Sequence, residues 1–466
     1  MNKEQIELKD FLDFMDAASA ATSQKEFYHS SSEQKVSLSF FHFYMVYSDR
    51  LRYARFLAMS INDHNKQNII FNLLLTGKET PADFKEEENS LIAKTLEKLP
   101  PQRIYNLFFR IKKAKINNRR TRAFAKQFLL SRNLEFDAVK YKKKLKKLAS
   151  HNHIKLEEET NSFLYKFKKS KHFNTALFEK FRQAYYSQSA VYSLPFTVAE
   201  GLAEKHGIER SEFLEKIEPM MTGAEKAKFF NSAAKNKVDL NFKLSSMSTT
   251  KLFSYILSLD LNQRDERKEE LLNAVSVASK RENKFIKQDF SSTALIIDNS
   301  YSMGGSLQKK HRPLAVCLAV KSIMEKADKS LKVYKTSDSM SDLFTYPKGA
   351  TCIASKLLDA LEGGAKEIII LSDGFENAPF GGVEEVINCW KKIEKSEKVK
   401  FIHLNPVYNS TDFQIQSLSE KVTTCGIRDA SEIENVLTFA RFKADVYKLS
   451  QVDNYQSKMV KRYLND

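Results

Sequence analysis

Near residue 285 the apolar residues change the period on which they recur, and that change limits what the chain can fold into. Up to that point the spacing is helical. Ile104, Leu107, Phe108 and Ile111 fall at i, i+3, i+4 and i+7, which places them in one stripe. Pro100 and Pro101 end the preceding helix, which holds Leu91, Ile92, Leu96 and Leu99, because a proline ring disfavours helical backbone at the residue before it. Thr197 with Glu200, and Thr222 with Glu225, predict capping boxes, and Gly207 can close the helix begun at Thr197. After a polar junction, Lys280 to Ser292, short apolar runs alternate with helical segments: 293–297, 331–334, 367–371 and 399–404. Such alternation predicts a mostly parallel sheet with helices on both faces. The expected fold is therefore multidomain, α plus α/β: an all-α helical-repeat solenoid over residues 1–285 and a Rossmann-like α/β domain over 286–466. No clean sequence period marks the repeats.

A length of 466 residues suits two or three units, and 42% hydrophobic with 29% charged residues is ordinary for a folded chain. The opening residues carry charges where a secretion signal needs an apolar core, and no apolar run approaches the roughly 20 residues that cross a bilayer. Cys317, Cys352, Cys389 and Cys425 are scattered without a C-x-x-C pair, as expected for free thiols in a reducing compartment. A cytoplasmic location with no membrane partner is the expectation.

Charge separates the two halves. Residues 290–466 hold 24 Lys or Arg against 22 Asp or Glu, so nearly all of the net +17 lies earlier in the chain. A surplus of that size attracts polyanions, because Lys and Arg displace the counterions that phosphates otherwise hold. It is densest from Arg110 to Lys147, where 15 basic residues face only Glu135 and Asp137. An ordinary solvated helix face would carry acids for i, i+4 pairs, and here they are nearly absent. The candidate RNA contacts are Lys112, Lys113, Lys115, Arg119, Arg120 and Arg122, then Lys140, Lys142, Lys143, Lys144, Lys146 and Lys147, then His151 and His153. The two imidazoles are candidates for stacking on unpaired bases. A second cluster holds Lys166, Lys168, Lys169, Lys171 and His172.

The segment ALIIDNSYSMGG sets Asp298, Ser300 and Ser302 directly after a predicted buried strand. Ligands of open α/β sheets bind at the carboxyl ends of strands, which is where this loop falls. A carboxylate and two hydroxyls spaced by two can turn toward one hard cation, and Gly304 and Gly305 permit a tight path. Thr351, at a helix start, and Asp373, ending IIILSDG, fall at the same end of the sheet. These five are the candidate ligands of Mg²⁺ or another divalent cation, with a coordination position left for a partner's carboxylate or phosphate. No nucleophile or paired base stands beside Asp298 or Asp373, so no enzymatic role is expected.

Asp298-x-Ser300-x-Ser302 with its strand, its glycines, Thr351 and IIILSDG resembles the metal-ion-dependent adhesion site of von Willebrand factor A domains. Added to a helical front half with Asn118 to Arg122 and a basic run from Lys140 ending in Ser150-His151, the order of parts is similar to the TROVE family, that of the Ro autoantigen and its bacterial relatives. Leu148-Ala149 replaces the aromatic residue expected before Ser-His, and the basic run is denser. The resemblance implies HEAT-like repeats closed into a ring by the A domain. It also implies binding of small structured Y-like RNAs on the basic surface, admission of single-stranded ends of misfolded RNAs, and a role in RNA quality control or processing without nuclease activity. The alternative is an adaptor or chaperone partner of a MoxR-type AAA+ ATPase, gripping protein through the metal site. An extracellular adhesion module ranks behind both, since no export signal or disulfide framework is seen.

Overall fold

The computed structural model describes residues 2–21, 24, 30–223, 225–226, 229, 242–283, 290–337, 341–393, 399–408 and 415–465. Helices dominate, with one five-stranded sheet. By packing, the chain divides into Met1–Ile69 with Leu244–Asp466 as one unit and Ile70–Lys243 as the other. These units do not coincide with the expected division into 1–285 and 286–466. Part of that expected junction, residues 284–289, lies outside the described residues.

The first unit is built on β1 (Thr293–Ile297), β2 (Lys332–Lys335), β3 (Glu367–Leu371), β4 (Lys400–Asn405) and β5 (Thr423–Gly426). All neighbours run parallel, in the order β2-β1-β3-β4-β5. β1 is buried along its whole length and β3 over its last four residues, which explains why both read as unbroken apolar runs rather than alternating ones. Ala294, Ile296, Ile368 and Ile370 share one core with Ile353, Leu357, Val383 and Ile387 of two helices. Successive strand residues point to opposite faces, so Leu295, Ile297, Ile369 and Leu371 serve the other side. The Arg312–Ala327 helix, buried over most of its length, meets β1 and is itself covered by the Thr249–Ser258 and Lys268–Asn283 helices. The front-half helix Lys3–Ala20 belongs here too: buried Asp16 pairs with Lys443 and accepts the Gly426 N–H at 3.2 Å, beside β5.

The second unit is helical. Ile104, Leu107, Phe108 and Ile111 are buried as their spacing predicts, on the Pro101–Lys113 helix that follows Pro100. Gly207 takes φ +66° after the Phe196–Lys205 helix, the left-handed turn expected of it. Thr222 and Glu225 exchange the two capping-box bonds, at 3.3 and 3.0 Å. The box expected at Thr197 and Glu200 is absent: Pro195 precedes the first helical residue, Phe196, so Thr197 already lies inside the first turn, and Glu200 accepts from Arg210 at 2.8 Å. This unit holds 35 Lys or Arg against 20 Asp or Glu, leaving 40 against 38 for the other, so the surplus that the sequence places before residue 290 lies within this unit. No helix among the described residues is long and apolar enough to cross a membrane.

Candidate functional site

In the first unit the strand order reverses between β1 and β3, since β1 leads outward to β2 and the chain then returns to β3 on the other side. A crevice opens at the carboxyl ends of strands flanking such a reversal. Ile297 pairs with Leu371, and the Asp298 N–H donates to the Leu371 carbonyl at 2.9 Å, so Asp298 and Asp373 emerge side by side at that point. The predicted residues Asp298, Ser300, Thr351 and Asp373 are buried, and Ser302 is half-buried.

One oxygen of each carboxylate is engaged. Asp298 Oδ1 accepts the Ser300 N–H at 2.8 Å and lies 3.3 Å from Thr336 Oγ1, and Asp373 Oδ1 accepts the Phe375 N–H at 3.2 Å. The Ser300 and Ser302 hydroxyls are 3.3 Å apart, and Ser302 also bonds to Asp373. The second oxygen of each, Oδ2, is buried with no hydrogen-bond partner among the described residues. Burial, then the neighbouring Asp373 charge, pushes the Asp298 carboxyl up to about 7, and burial likewise raises Asp373. Two buried carboxylates side by side concentrate negative charge, which a hard cation would offset. Among the described residues no group of three or more His, Cys, Asp or Glu could hold a metal, so a cation here would depend on two carboxylates with hydroxyls and water, a donor set that suits Mg²⁺.

Glu376, Asn377 and Asn299, not singled out from the sequence, hold the loops around this pair, with Gly305, which was. Glu376 is buried, and its carboxylate accepts from the N–H groups of Ile353, Ala354 and Val383 at 3.2, 2.9 and 2.8 Å, capping two helices at once. Asn377 Oδ1 accepts the Thr351 N–H at 2.9 Å. Asn299, fully buried, binds Thr336 and the Ser337 N–H at 2.9 and 2.8 Å, while its carbonyl accepts from Lys348 at 2.9 Å. Gly305, at φ +71°, has no room for a Cβ against the Lys309 carbonyl. Below the site, buried His403 lies 3.0 Å from Ser372 Oγ and 3.2 Å from Thr424 Oγ1, and burial lowers its pKa to about 4.

In the second unit the basic residues separate into two groups. Lys112, Lys113, Lys115, Arg119, Arg122, Lys143, Lys147 and His153 are exposed. Among the described residues none of the seven Lys and Arg in that group has an ion-pair partner. The Pro101–Lys113 and Lys142–His151 helices pack together, with the Lys113 and Lys147 ammonium groups 5.0 and 4.6 Å from the Phe109 ring centre. Asn117 donates to the His151 carbonyl at 2.7 Å and His151 Nε2 lies 2.8 Å from the Ile116 carbonyl. That stitching brings both helix ends, and the start of the Arg119–Leu130 helix, to one surface.

The other group is engaged in the fold. Arg120 bridges to fully buried Glu88 at 2.7 Å and donates to Asn89 at 2.7 Å. Lys140 lies over the Phe136 ring, with Glu225 at 3.9 Å. The Lys142 ammonium sits among Phe167, Phe163 and Phe181, at 3.9, 4.1 and 4.7 Å from their centres, and burial lowers its pKa to about 8. Lys144 and Lys146 are half-buried, the latter 4.4 Å from the Tyr165 ring centre, and the His151 ring is held by Ile116 rather than left open for stacking. In the second basic cluster, His172 Nδ1 lies 3.5 Å from Glu179.

No family model matches the sequence, and no curated protein is similar to it at the level of sequence. Among solved structures, the chain is similar to the RO (RSR) protein of Deinococcus radiodurans, at 12% identity over 93% of this chain and 100% of that one, with a TM-score of 0.47. At that identity and degree of superposition the likeness does not assign the chain to a family.

Proposed function

We propose that this chain is a non-catalytic RNA-binding protein of the Ro type. The basic face of the Ile70–Lys243 unit would hold small structured or misfolded RNA, in its quality control or processing. The observation that carries the reading is the set of exposed cations, with no ion-pair partner among the described residues, along the Lys142–His151 helix and at the neighbouring ends of the Pro101–Lys113 and Arg119–Leu130 helices. Two of those helices also begin with cations. Arg119, Arg120 and Arg122 open one, and Lys142, Lys143 and Lys144 open the other, with no acid in either first turn. A helix start carries positive partial charge, so each such placement costs about 0.3–1 kcal/mol, a cost that a bound phosphate reverses. In this reading the helical part forms a HEAT-like solenoid, closed into a ring by a von Willebrand A domain.

The test is retention of RNA by Lys143→Glu/Lys147→Glu, two exposed sites whose reversal breaks no ion pair among the described residues. Affinity should fall about a hundredfold, with a shallower salt dependence. Equal affinity in a folded variant would remove this face from the reading.

A protein-binding role for the other unit has support of its own. Asp298, Ser300, Ser302, Thr351 and Asp373 would hold Mg²⁺ or another divalent cation, which supplies an electrophilic position for a partner's carboxylate. Tyr301, Leu307 and Phe380, on the loops around them, are 70%, 93% and 93% exposed, a composition suited to protein contact. This is also the surface that an adaptor for a MoxR-type ATPase would use. Calorimetric titration of wild type and Asp298→Ala with Mg²⁺ tests it: heat of binding in the first and none in the second is expected, and equal heats would exclude these ligands.

A further inference from the structure

We propose that the basic face takes unpaired rather than duplex nucleotides, and that Tyr165 is the platform on which a base stacks. The inference rests on the RNA-binding reading above and adds the form of RNA and the residue that selects it. Tyr165 ends the Glu158–Tyr165 helix and remains 45% exposed. Its hydroxyl lies 2.6 Å from Ser150 Oγ and 3.4 Å from the Lys146 carbonyl, and the Lys146 ammonium stands 4.4 Å from the ring centre. The ring is thus fixed at its outer end by the helix that presents Lys143 and Lys147.

The helix that carries Tyr165 is also fastened to the cationic one. Lys142 reaches from that helix into the rings of Phe163 of the Glu158–Tyr165 helix, Phe167 just after it and Phe181 of the Ala176–Tyr186 helix. A lysine spent in this way cannot reach phosphate, but it fastens the aromatic helix to the cationic one. An aromatic side chain that is exposed, immobilised and flanked by cations loses little freedom when a base lies on it. A single strand offers base faces to such a ring, whereas a duplex keeps them stacked inside. Of the two imidazoles expected to do this, His151 is less suited, since its ring is bound to the Ile116 carbonyl.

The experiment measures binding of a short fluorescent oligoadenylate and of a blunt RNA duplex to the full chain, wild type and variants, with thermal unfolding to confirm that each is folded. Wild type should prefer the single strand. Tyr165→Ala should weaken single-strand binding about tenfold or more and leave the duplex unchanged, Tyr165→Leu should do the same while filling the space, and Tyr165→Phe should retain most of the affinity. Single-strand affinity unchanged in folded Tyr165→Ala and Tyr165→Leu, with Lys143→Glu/Lys147→Glu losing both ligands, would overturn the stacking inference while keeping the RNA reading. If Lys143→Glu/Lys147→Glu lost neither ligand, the RNA reading itself would fail and this inference with it.

Discussion

The two candidate sites solve opposite electrostatic problems. In the first unit two carboxylates are buried at the reversal point of a sheet, each with an oxygen that finds no partner among the described residues. In the second, cations stand in solvent with no acid beside them among the described residues. Burial would make the first arrangement selective, because a small hard cation with the right geometry would be needed to offset the desolvation. Exposure makes the second permissive, since any phosphate chain that follows the surface gains from it. One unit is therefore suited to a single defined contact and the other to an extended one.

The sharpest way to break that comparison is within the basic residues. Replacing Arg120 with Met removes its ion pair with buried Glu88 and should destabilise the second unit by about 3–5 kcal/mol in urea unfolding, whereas Arg122→Met should cost almost nothing. Equal effects would mean that the division into structural and exposed cations is wrong. Next in size is an acid effect confined to the first unit. The folded pKa of His403, about 4, lies below its unfolded value of 6.5, so the unfolded chain binds the extra proton between these pH values. Stability present above pH 6.5 is lost as pH falls toward 4, by about 3 kcal/mol, and His403→Gln should flatten this limb. Smaller again is the effect of the cation: millimolar Mg²⁺ should stabilise wild type by about 1–3 kcal/mol and leave Asp298→Asn unmoved. Last, Arg122→Ala should weaken RNA binding a few-fold across all sequences and lower the salt slope by about one unit.

The strands and the carboxylate pair were legible because they rest on local pattern. β1 and β3 lie where unbroken apolar runs predicted them, and Asp298 and Asp373 follow those runs directly. β5 was missed, since Thr423–Gly426 is four residues long and ends in glycine, which reads as a turn. Glu376 and Asn377 follow Asp373-Gly374 and look like loop polarity, because their partners are backbone N–H groups that the sequence does not reveal. Arg120 and Lys142 read as surface cations in the sequence because Glu88 and the three phenylalanines that hold them lie far away along the chain. The same reason hid the membership of the Lys3–Ala20 helix: its period declares a helix, but only Lys443 and Gly426 declare where it packs.

That packing bears on how the molecule is made. The unit containing the sheet is assembled from the first 69 residues and from those after 243, while the basic unit is continuous and lies between them. During synthesis, the middle of the chain can reach its final form while its leading helices still wait for β5 and the Ile433–Asp445 helix to leave the ribosome. Buried Asp16 is meanwhile without Lys443. Removal of the leading helices would therefore damage the sheet at the far end of the chain, and spare the part next to the cut.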